Sequence, residues 1–492
     1  MKLTLETLAD LPGGIARPQY SRNELKPGIV HIGLGNFHRA HQAVYLDDLF
    51  NQGRDRDWAI VGAGVRQGDA VMRQKLARQD WLTTVIELEP GANRARVTGA
   101  MIDFVPVEAD NAALIEAMSA PATRIVSLTV TEGGYYIDPA TGVFDPDHPD
   151  MQADAARPEA PVSVFGAIVA ALKRRRQAGT GPFTVMSCDN LPGNGDIAGH
   201  AVLGLAWRHD PQLACWIEEE VAFPNAVVDR ITPASTEGHR AFVRDTFGIE
   251  EANPVVCEPF RQWVLEDRFS NGRPAFEEAG VTVTADVAPF ETMKIRILNG
   301  GHALLAYPAA LLGLDYCHEA MAHPLIGGFL EKVEREEIVP VLPPVPDTDL
   351  HAYYRLVAGR FSNGDIADTI ARLCHDGSDR QPKFVLPSIR DRLAQGLPVD
   401  GLALGSALWC RYCYGTSDDG RDLEVVDGMS ERLRQSAAAA KEAPLKFLEL
   451  RDVFGDLADE PAFSTRFAAA LTELWQDGTE RTLGRYLNGG GG

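Results

Sequence analysis

The sequence predicts an α/β protein, in which an N-terminal domain built on a mostly parallel sheet is followed by a mainly α-helical C-terminal domain. Short β-rich runs alternate with amphipathic stretches over the first half of the chain. Near residue 285 the texture changes, and long helix-compatible segments take over. A chain of 492 residues also exceeds what one ordinary hydrophobic core accommodates, so two domains are expected, 1–285 and 286–492.

Taken in order, 28–33 reads as a short buried strand, and 36–51 carries a helical apolar pattern ended by Gly53. Residues 58–65 form the next strand, followed by a helix over about 70–78 and a strand around 82–88 that continues the alternation. Two further β-rich runs, 124–131 and 183–188, flank a helical stretch over 162–177. Strands alternating with helices imply a mostly parallel sheet with helices on both faces. In the second half, helices are expected over 290–312, 324–339, 365–375, 387–395, 402–414 and 461–475. The proline-rich stretch 340–346 reads as a stiff linker, and 489–492 as a flexible end.

Bulk properties exclude several classes. A formal net charge of -22 argues against a nucleic-acid backbone as partner, because phosphate binding needs clustered cations. It leaves room for a small anionic substrate, since a local pair of arginines can bind a carboxylate. No apolar run approaches the roughly 20 residues a membrane helix needs. The N-terminus lacks a secretory pattern, and the seven cysteines are odd in number and scattered, as expected for reduced thiols in a cytoplasmic protein.

The first motif with chemistry is Gly33-Leu34-Gly35-Asn36-Phe37-His38, which follows one predicted strand and opens a predicted helix. The first glycine permits a tight turn and the second lets backbone approach a pyrophosphate, beside a helix start with free N–H groups. His38 stands at the third glycine position, so the fingerprint is incomplete, and a plain strand-to-helix turn is the alternative. After the second strand, the run from Gly64 through Arg66 brings Asp69, whose carboxylate can hydrogen-bond an adenosine ribose and repel the extra phosphate of NADP. Asp69 equally suits a helix cap. Gly33, Leu34, Gly35, Asn36, Phe37, Arg66 and Asp69 are thus the expected contacts of a Rossmann-type domain that binds NAD.

The second motif is Lys294-Ile-Arg-Ile-Leu-Asn299-Gly-Gly-His302. On an α-helix these three side chains lie at relative angles of about 0°, 140° and 80°, compatible with one cleft. Oxidising an alcohol requires a base for the hydroxyl proton, which a partly buried lysine can supply. Asn299 can donate to a developing alkoxide, and His302 can orient the reacting oxygen. The glycines between them offer close approach at a cost of roughly 1 kcal/mol each in helix stability. A solvated lysine beside a packed Asn and His is the alternative. Asn190 ends the predicted strand 183–188 on its carboxyl side, where ligands bind in open α/β sheets, and could be a second alkoxide donor.

Several segments together resemble the mannitol dehydrogenase family of polyol-specific long-chain dehydrogenases. They are 33–42, Thr131-Glu-Gly-Gly-Tyr135, Ser187-Cys-Asp-Asn-Leu-Pro192, Pro224-Asn-Ala-Val-Val-Asp-Arg-Ile-Thr-Pro233, Cys257-Glu-Pro-Phe-Arg-Gln-Trp-Val264 and 294–302. The resemblance spans essentially the whole chain. It implies Lys294 as general acid/base, Asn190 and Asn299 as the oxyanion-stabilising pair, His302 as substrate-positioning group, no catalytic metal, and a monomer. It also places Glu132 and Glu291 near a proton path to solvent, although either could be an ordinary solvated glutamate. Asp229, Arg230, Arg372 and Lys383 are candidates for binding substrate hydroxyls or a carboxylate, with structural salt bridges as the alternative. Arg380 stands where the family commonly has lysine.

Rival enzyme classes lack their signatures. A zinc alcohol dehydrogenase needs three metal ligands, and the one close cysteine pair, Cys410 and Cys413, reads as helix packing. A short-chain dehydrogenase would carry Tyr-x-x-x-Lys, which does not occur. An NAD-binding sensor would keep Gly33, Gly35 and Asp69 without needing Lys294, Asn190, Asn299 and His302. Within the enzyme reading, oxidation of D-mannitol to D-fructose competes with reduction of D-fructuronate to D-mannonate and with oxidation of D-arabinitol or sorbitol. The lack of a cation immediately after Asn190 favours a neutral polyol.

Overall fold

The computed structural model describes residues 1–137 and 144–489. Eleven strands form among them: Pro27–Ile32 (β1), Ala59–Ala63 (β2), Thr83–Glu87 (β3), Arg94–Thr98 (β4), Met101–Phe104 (β5), Ile125–Leu128 (β6), Thr184–Ser187 (β7), Ala226–Asp229 (β8), Val255–Cys257 (β9), Gln262–Glu266 (β10) and Thr282–Thr284 (β11). The chain divides into two compact units, Met1–Ala288 and Pro289–Gly492.

The first unit is organised by a five-stranded parallel sheet in the order β5-β2-β1-β6-β7. Chain order reverses direction between β1 and β6, which creates a crevice at the carboxyl ends of those two strands. Both faces are buried, because successive side chains point to opposite sides. Val30, Ile32, Val126, Leu128 and Val185 pack under the helices Ala112–Ser119, Val164–Ala178 and Asn194–His209. Ile29, Ile60, Ile125 and Met186 join the other core, with Leu46, Leu49 and Phe50 of the helix Gln42–Asn51. Local signals set the helix ends. Ser163 accepts the Gly166 N–H at the start of Val164–Ala178, and Gly179 closes that helix in the left-handed region at φ 67°.

Two small sheets flank this framework, in the orders β11-β10-β8 and β4-β3-β9. The strand expected at 82–88 therefore does not continue the main sheet. It pairs antiparallel with β4 across a tight turn in which Ala92 N–H donates to Glu89 O and Gly91 takes φ 79°. A local hairpin with a Pro-Gly turn needs little loop closure, and the other edge of β3 is taken by β9 in a parallel pairing, so neither edge is left for the main sheet. The helix expected over 36–51 is likewise two helices, Asn36–Ala40 and Gln42–Asn51, broken at His41, whose ring Nε2 lies 2.8 Å from Gln262 O.

The second unit is helical. All twelve residues of Gly300–Leu311 are buried, and Asp400–Cys413 is buried along nearly its whole length, Cys410 and Cys413 included. A helix apolar all round belongs at the centre of a bundle. The helix expected over 461–475 runs on as Pro461–Leu487, interrupted at Gly478 with φ 80°, where Asp418 accepts the Thr479 N–H. The helix expected over 365–375 breaks instead into Gly364–Ile366 and Ile370–Leu373, separated by left-handed Ala367 and capped by Thr369. Among the described residues three π-helical turns occur, Lys294–Asn299, Glu334–Ile338 and Gln381–Val385. Among the described residues no helix is long and apolar enough to cross a membrane.

Candidate active site

In the first unit, Gly33 sits at the carboxyl end of β1 beside the crevice, with φ 95°. A β-carbon there would lie 2.1 Å from Thr129 O, so only glycine fits. The Gly35 N–H donates to Gly33 O at 2.7 Å, and Gly35 precedes the helix Asn36–Ala40. Leu34 is buried in the core, and Phe37 stacks on His41 at 4.7 Å. The Asn36 amide is held from both ends: Nδ2 donates to Pro233 O and Ser235 Oγ, and Oδ1 accepts from Arg39. After β2, exposed Arg66 precedes the helix Gln67–Ala77, and Asp69 Oδ2 accepts the Arg66 N–H at 2.9 Å. The helix-cap role of Asp69 is thus present in the fold, and the carboxyl fills the space beside Gly64.

Asn190 follows β7 on its carboxyl side and is exposed. Its neighbour Asp189 anchors this edge, accepting the N–H groups of Val130 and Thr131 and the Tyr135 hydroxyl. Asn194 adds a second tie, donating to Asp189 O and Ala226 O while accepting the Ala226 N–H. Sequence reasoning assigned neither residue a role, although Asp189 stands beside Asn190 in the motif it singled out and Asn194 follows just after it. Asp229 ends β8 and is buried. Glu132 begins the short turn Glu132–Tyr135, and its side chain lies outside the described set.

Arg230, expected either as a substrate-binding cation or in a structural salt bridge, has a side chain that is 0% exposed and donates to Glu258 O, Ala40 O and the Glu87 carboxylate, the bonds of the salt-bridge alternative.

In the second unit, the helix Ala288–Met293 carries Glu291 and passes into the π turn Lys294–Asn299, which gives way to the α-helix Gly300–Leu311. A π turn pairs residue i with i+5, so Lys294 and Asn299 come onto one face instead of standing about 140° apart. Lys294 is buried, as are Gly300, Gly301 and His302. Asn299 Oδ1 and His302 Nε2 are buried without a hydrogen-bond partner. The His302 ring stacks on Phe361 at 4.0 Å. Burial, with Arg372, Arg360 and Arg380 nearby, holds this imidazole well below its ordinary pKa, and it is neutral at physiological pH.

The two glycines are explained by what abuts them. A β-carbon on Gly300 would come 3.1 Å from Phe384 O of the third π turn, and one on Gly301 3.1 Å from Glu334 Oε1 of the second. Glu334 is fully buried, and neither carboxyl oxygen has a hydrogen-bond partner. Burial pushes its pKa well above the ordinary range, and it is a neutral acid. Nothing in the sequence distinguished Glu334 from the solvated glutamates around it. Arg372 forms an ion pair with Asp368, Lys383 one with Asp379 at 2.5 Å, and Arg380 donates to Leu373 O. Among the described residues no three His, Cys, Asp or Glu side chains are grouped so as to hold a metal ion.

A parallel sheet with a glycine-only turn at its switch point is the framework of a dinucleotide-dependent oxidoreductase. Comparison with known proteins narrows the class. Residues 27–278 match the profile of the mannitol dehydrogenase Rossmann domain, and 286–475 that of the mannitol dehydrogenase C-terminal domain. A mannitol 2-dehydrogenase from Cereibacter sphaeroides is 60% identical over 473 residues, covering 96% of this chain and 99% of that protein. The structure of Pseudomonas fluorescens mannitol 2-dehydrogenase in ternary complex with NAD and D-mannitol aligns with TM-score 0.87 at 42% identity, covering 99% of this chain and 100% of that one. A substrate-free D-sorbitol dehydrogenase aligns with TM-score 0.92 at 36% identity, covering 98% and 100%. The chain belongs to the mannitol dehydrogenase family.

Proposed function

We propose that the protein is an NAD-dependent polyol 2-dehydrogenase that oxidises D-mannitol to D-fructose, with Lys294 as the general acid/base. The observation that carries this reading is the π turn, which aligns buried Lys294 with Asn299 and leads directly into His302. The kinship to proteins named mannitol 2-dehydrogenase supports the substrate.

The first unit fits the cofactor: Gly33 has no room for a side chain at the switch point, and the peptide groups that follow open a helix. Bound NAD supplies the acceptor for the hydride leaving the carbinol carbon. Lys294 takes the hydroxyl proton as the C–H bond breaks, and the Asn299 amide stabilises negative charge developing on the oxygen. Family resemblance assigns Asn190 the second amide. Neutral His302 orients the reacting hydroxyl, its ring direction fixed by Phe361. Glu291 and Glu132 pass the proton to solvent. Leu34, Gly35, Asn36, Phe37, Arg66 and Asp69 form the cofactor-binding set around Gly33, and Asp229, Arg372 and Lys383 are proposed to bind the remaining substrate hydroxyls.

A second reading, reduction of a keto-uronate such as D-fructuronate, draws on one observation: three guanidinium groups, Arg360, Arg372 and Arg380, bear on His302 in an otherwise acidic protein. Comparing kcat/KM for D-mannitol, D-arabinitol, sorbitol and D-mannonate with NAD decides between them. Preference for D-mannitol is expected. Higher kcat/KM for D-mannonate would establish the sugar-acid reading, and no turnover with any of them would leave an NAD-binding sensor.

A further inference from the structure

The sequence fingerprint departs from its usual form at His38, and the polar groups beneath that departure form a continuous chain. The ring of His38 stacks on that of His31 in β1 at 3.4 Å and 14°, with both residues buried. His31 Nδ1 lies 2.8 Å from Ser127 Oγ, and His31 Nε2 lies 3.0 Å from Thr129 Oγ1. The Thr129 hydroxyl is 2.6 Å from Gly33 O, and the Gln42 amide end is 3.1 Å from Ser127 Oγ.

Counting protons fixes the direction of every link. Gly33 O can only accept, so Thr129 donates its one hydroxyl proton there. Thr129 Oγ1 must then accept from His31, which places the ring proton on Nε2. Burial pushes the His31 pKa down to about 3, so the ring is neutral and Nδ1 carries a lone pair. Ser127 therefore donates to His31 Nδ1 and has no second proton to give. Gln42 Oε1 faces Ser127 Oγ at 3.1 Å and its Nε2 has no partner, so turning the amide over lets the NH2 group donate to Ser127 and completes the chain.

We propose that His31 and Thr129 are positioning residues for the dinucleotide: a one-directional chain from Gln42 through Ser127, His31 and Thr129 ends on the Gly33 carbonyl and fixes the cofactor turn. The inference rests on the first unit binding NAD. Gly33 O receives Gly35 N–H at 2.7 Å and Thr129 O–H at 2.6 Å, so the peptide plane after Gly33 is held before any cofactor arrives. Aligned hydrogen bonds polarise one another, which strengthens the last link. His38, where a third glycine is usual, covers the His31 ring.

NADH titration by fluorescence, with kcat measured at saturating NAD, tests this. Thr129→Val keeps the shape and removes the donor, and NADH affinity is expected to fall about five- to tenfold with kcat changed less than twofold. Thr129→Ser restores the hydroxyl and should restore affinity. His31→Phe should weaken NADH to a similar degree, and the double variant should be no weaker than the worse single one, because both break one chain. Ser127→Ala, one link further from the turn, carries the same test if Thr129→Val does not fold. Wild-type affinity in a folded Thr129→Val or Ser127→Ala protein, or additive losses in the double variant, would overturn the proposal. Failure of the unmodified protein to bind NADH would instead overturn the dinucleotide reading.

Discussion

At the Gly33 turn itself Asn36 is paired at both ends of its amide, Arg39 to Asn253 O, Thr129 to the turn carbonyl, and Asp69 to Arg66 N–H, although both ring nitrogens of His38 and Nδ1 of His41 are buried behind it without hydrogen-bond partners. Around Gly301 the pattern inverts, with Asn299 Oδ1, His302 Nε2 and both oxygens of Glu334 buried without hydrogen-bond partners. A dinucleotide presents the same pyrophosphate at every turnover, so its cradle gains from being fixed in advance. If 294–302 is the catalytic segment proposed above, it must keep donor and acceptor capacity for a substrate whose charge changes during reaction, and internal partners would consume it. The same contrast separates two glutamates of one π turn. Glu337 accepts the Gly401 and Leu402 N–H groups as a helix cap, whereas Glu334, three residues earlier, accepts none.

The largest expected effect lies in the segment 294–302. Lys294→Ala should lower kcat by roughly a hundred- to ten-thousandfold while NADH binds as before. Parallel loss of NADH affinity would make Lys294 structural. Asn299→Ala should lower kcat about a hundredfold with little change in cofactor affinity, again by steady-state kinetics beside NADH titration. The paired region should respond in the opposite sense. Gly33→Ala forces a side chain against Thr129 O at φ 95° and is expected to weaken NADH at least about tenfold. Equal affinity would show that the turn has room to relax.

Smaller effects separate the remaining roles. Asp69→Ala should narrow the ratio of kcat/KM for NAD over NADP by about tenfold if its carboxylate meets the ribose. An unchanged ratio with a lowered melting temperature would leave only the cap. For Glu334 the effect is on stability. Its folded pKa lies above the ordinary value of 4.5, so the native state holds a proton that the unfolded state releases, and stability falls as pH rises from about 4.5 toward the folded pKa. Glu334→Gln does not titrate, and its melting temperature at pH 7.5 should exceed that of the unmodified protein by about 2 °C or more, the gain shrinking near pH 4.5. A lower melting temperature at both values would mean that the carboxyl has an ionic partner.

Local patterns determined much of this protein by themselves. The buried strands β1, β2, β6 and β7, the glycine turn at Gly33 and the helical segment through Lys294 and His302 are short-range features, written in hydrophobic period and in residues with special backbone freedom. Tertiary structure decided what depends on distant partners. Arg230 pairs with Glu87, 143 residues away, a partner that no reading of its neighbours could show. The strand β3 left the main sheet because its hairpin partner and β9 offered pairing elsewhere. The π turn that brings Lys294 and Asn299 together packs against two others far along the chain, whose atoms Phe384 O and Glu334 Oε1 would lie 3.1 Å from a β-carbon at 300 and 301 and so favour glycine there. Sequence fixes which groups are available, and long-range packing fixes which of them remain free, because a buried polar atom is satisfied by whichever partner the fold brings within 3 Å.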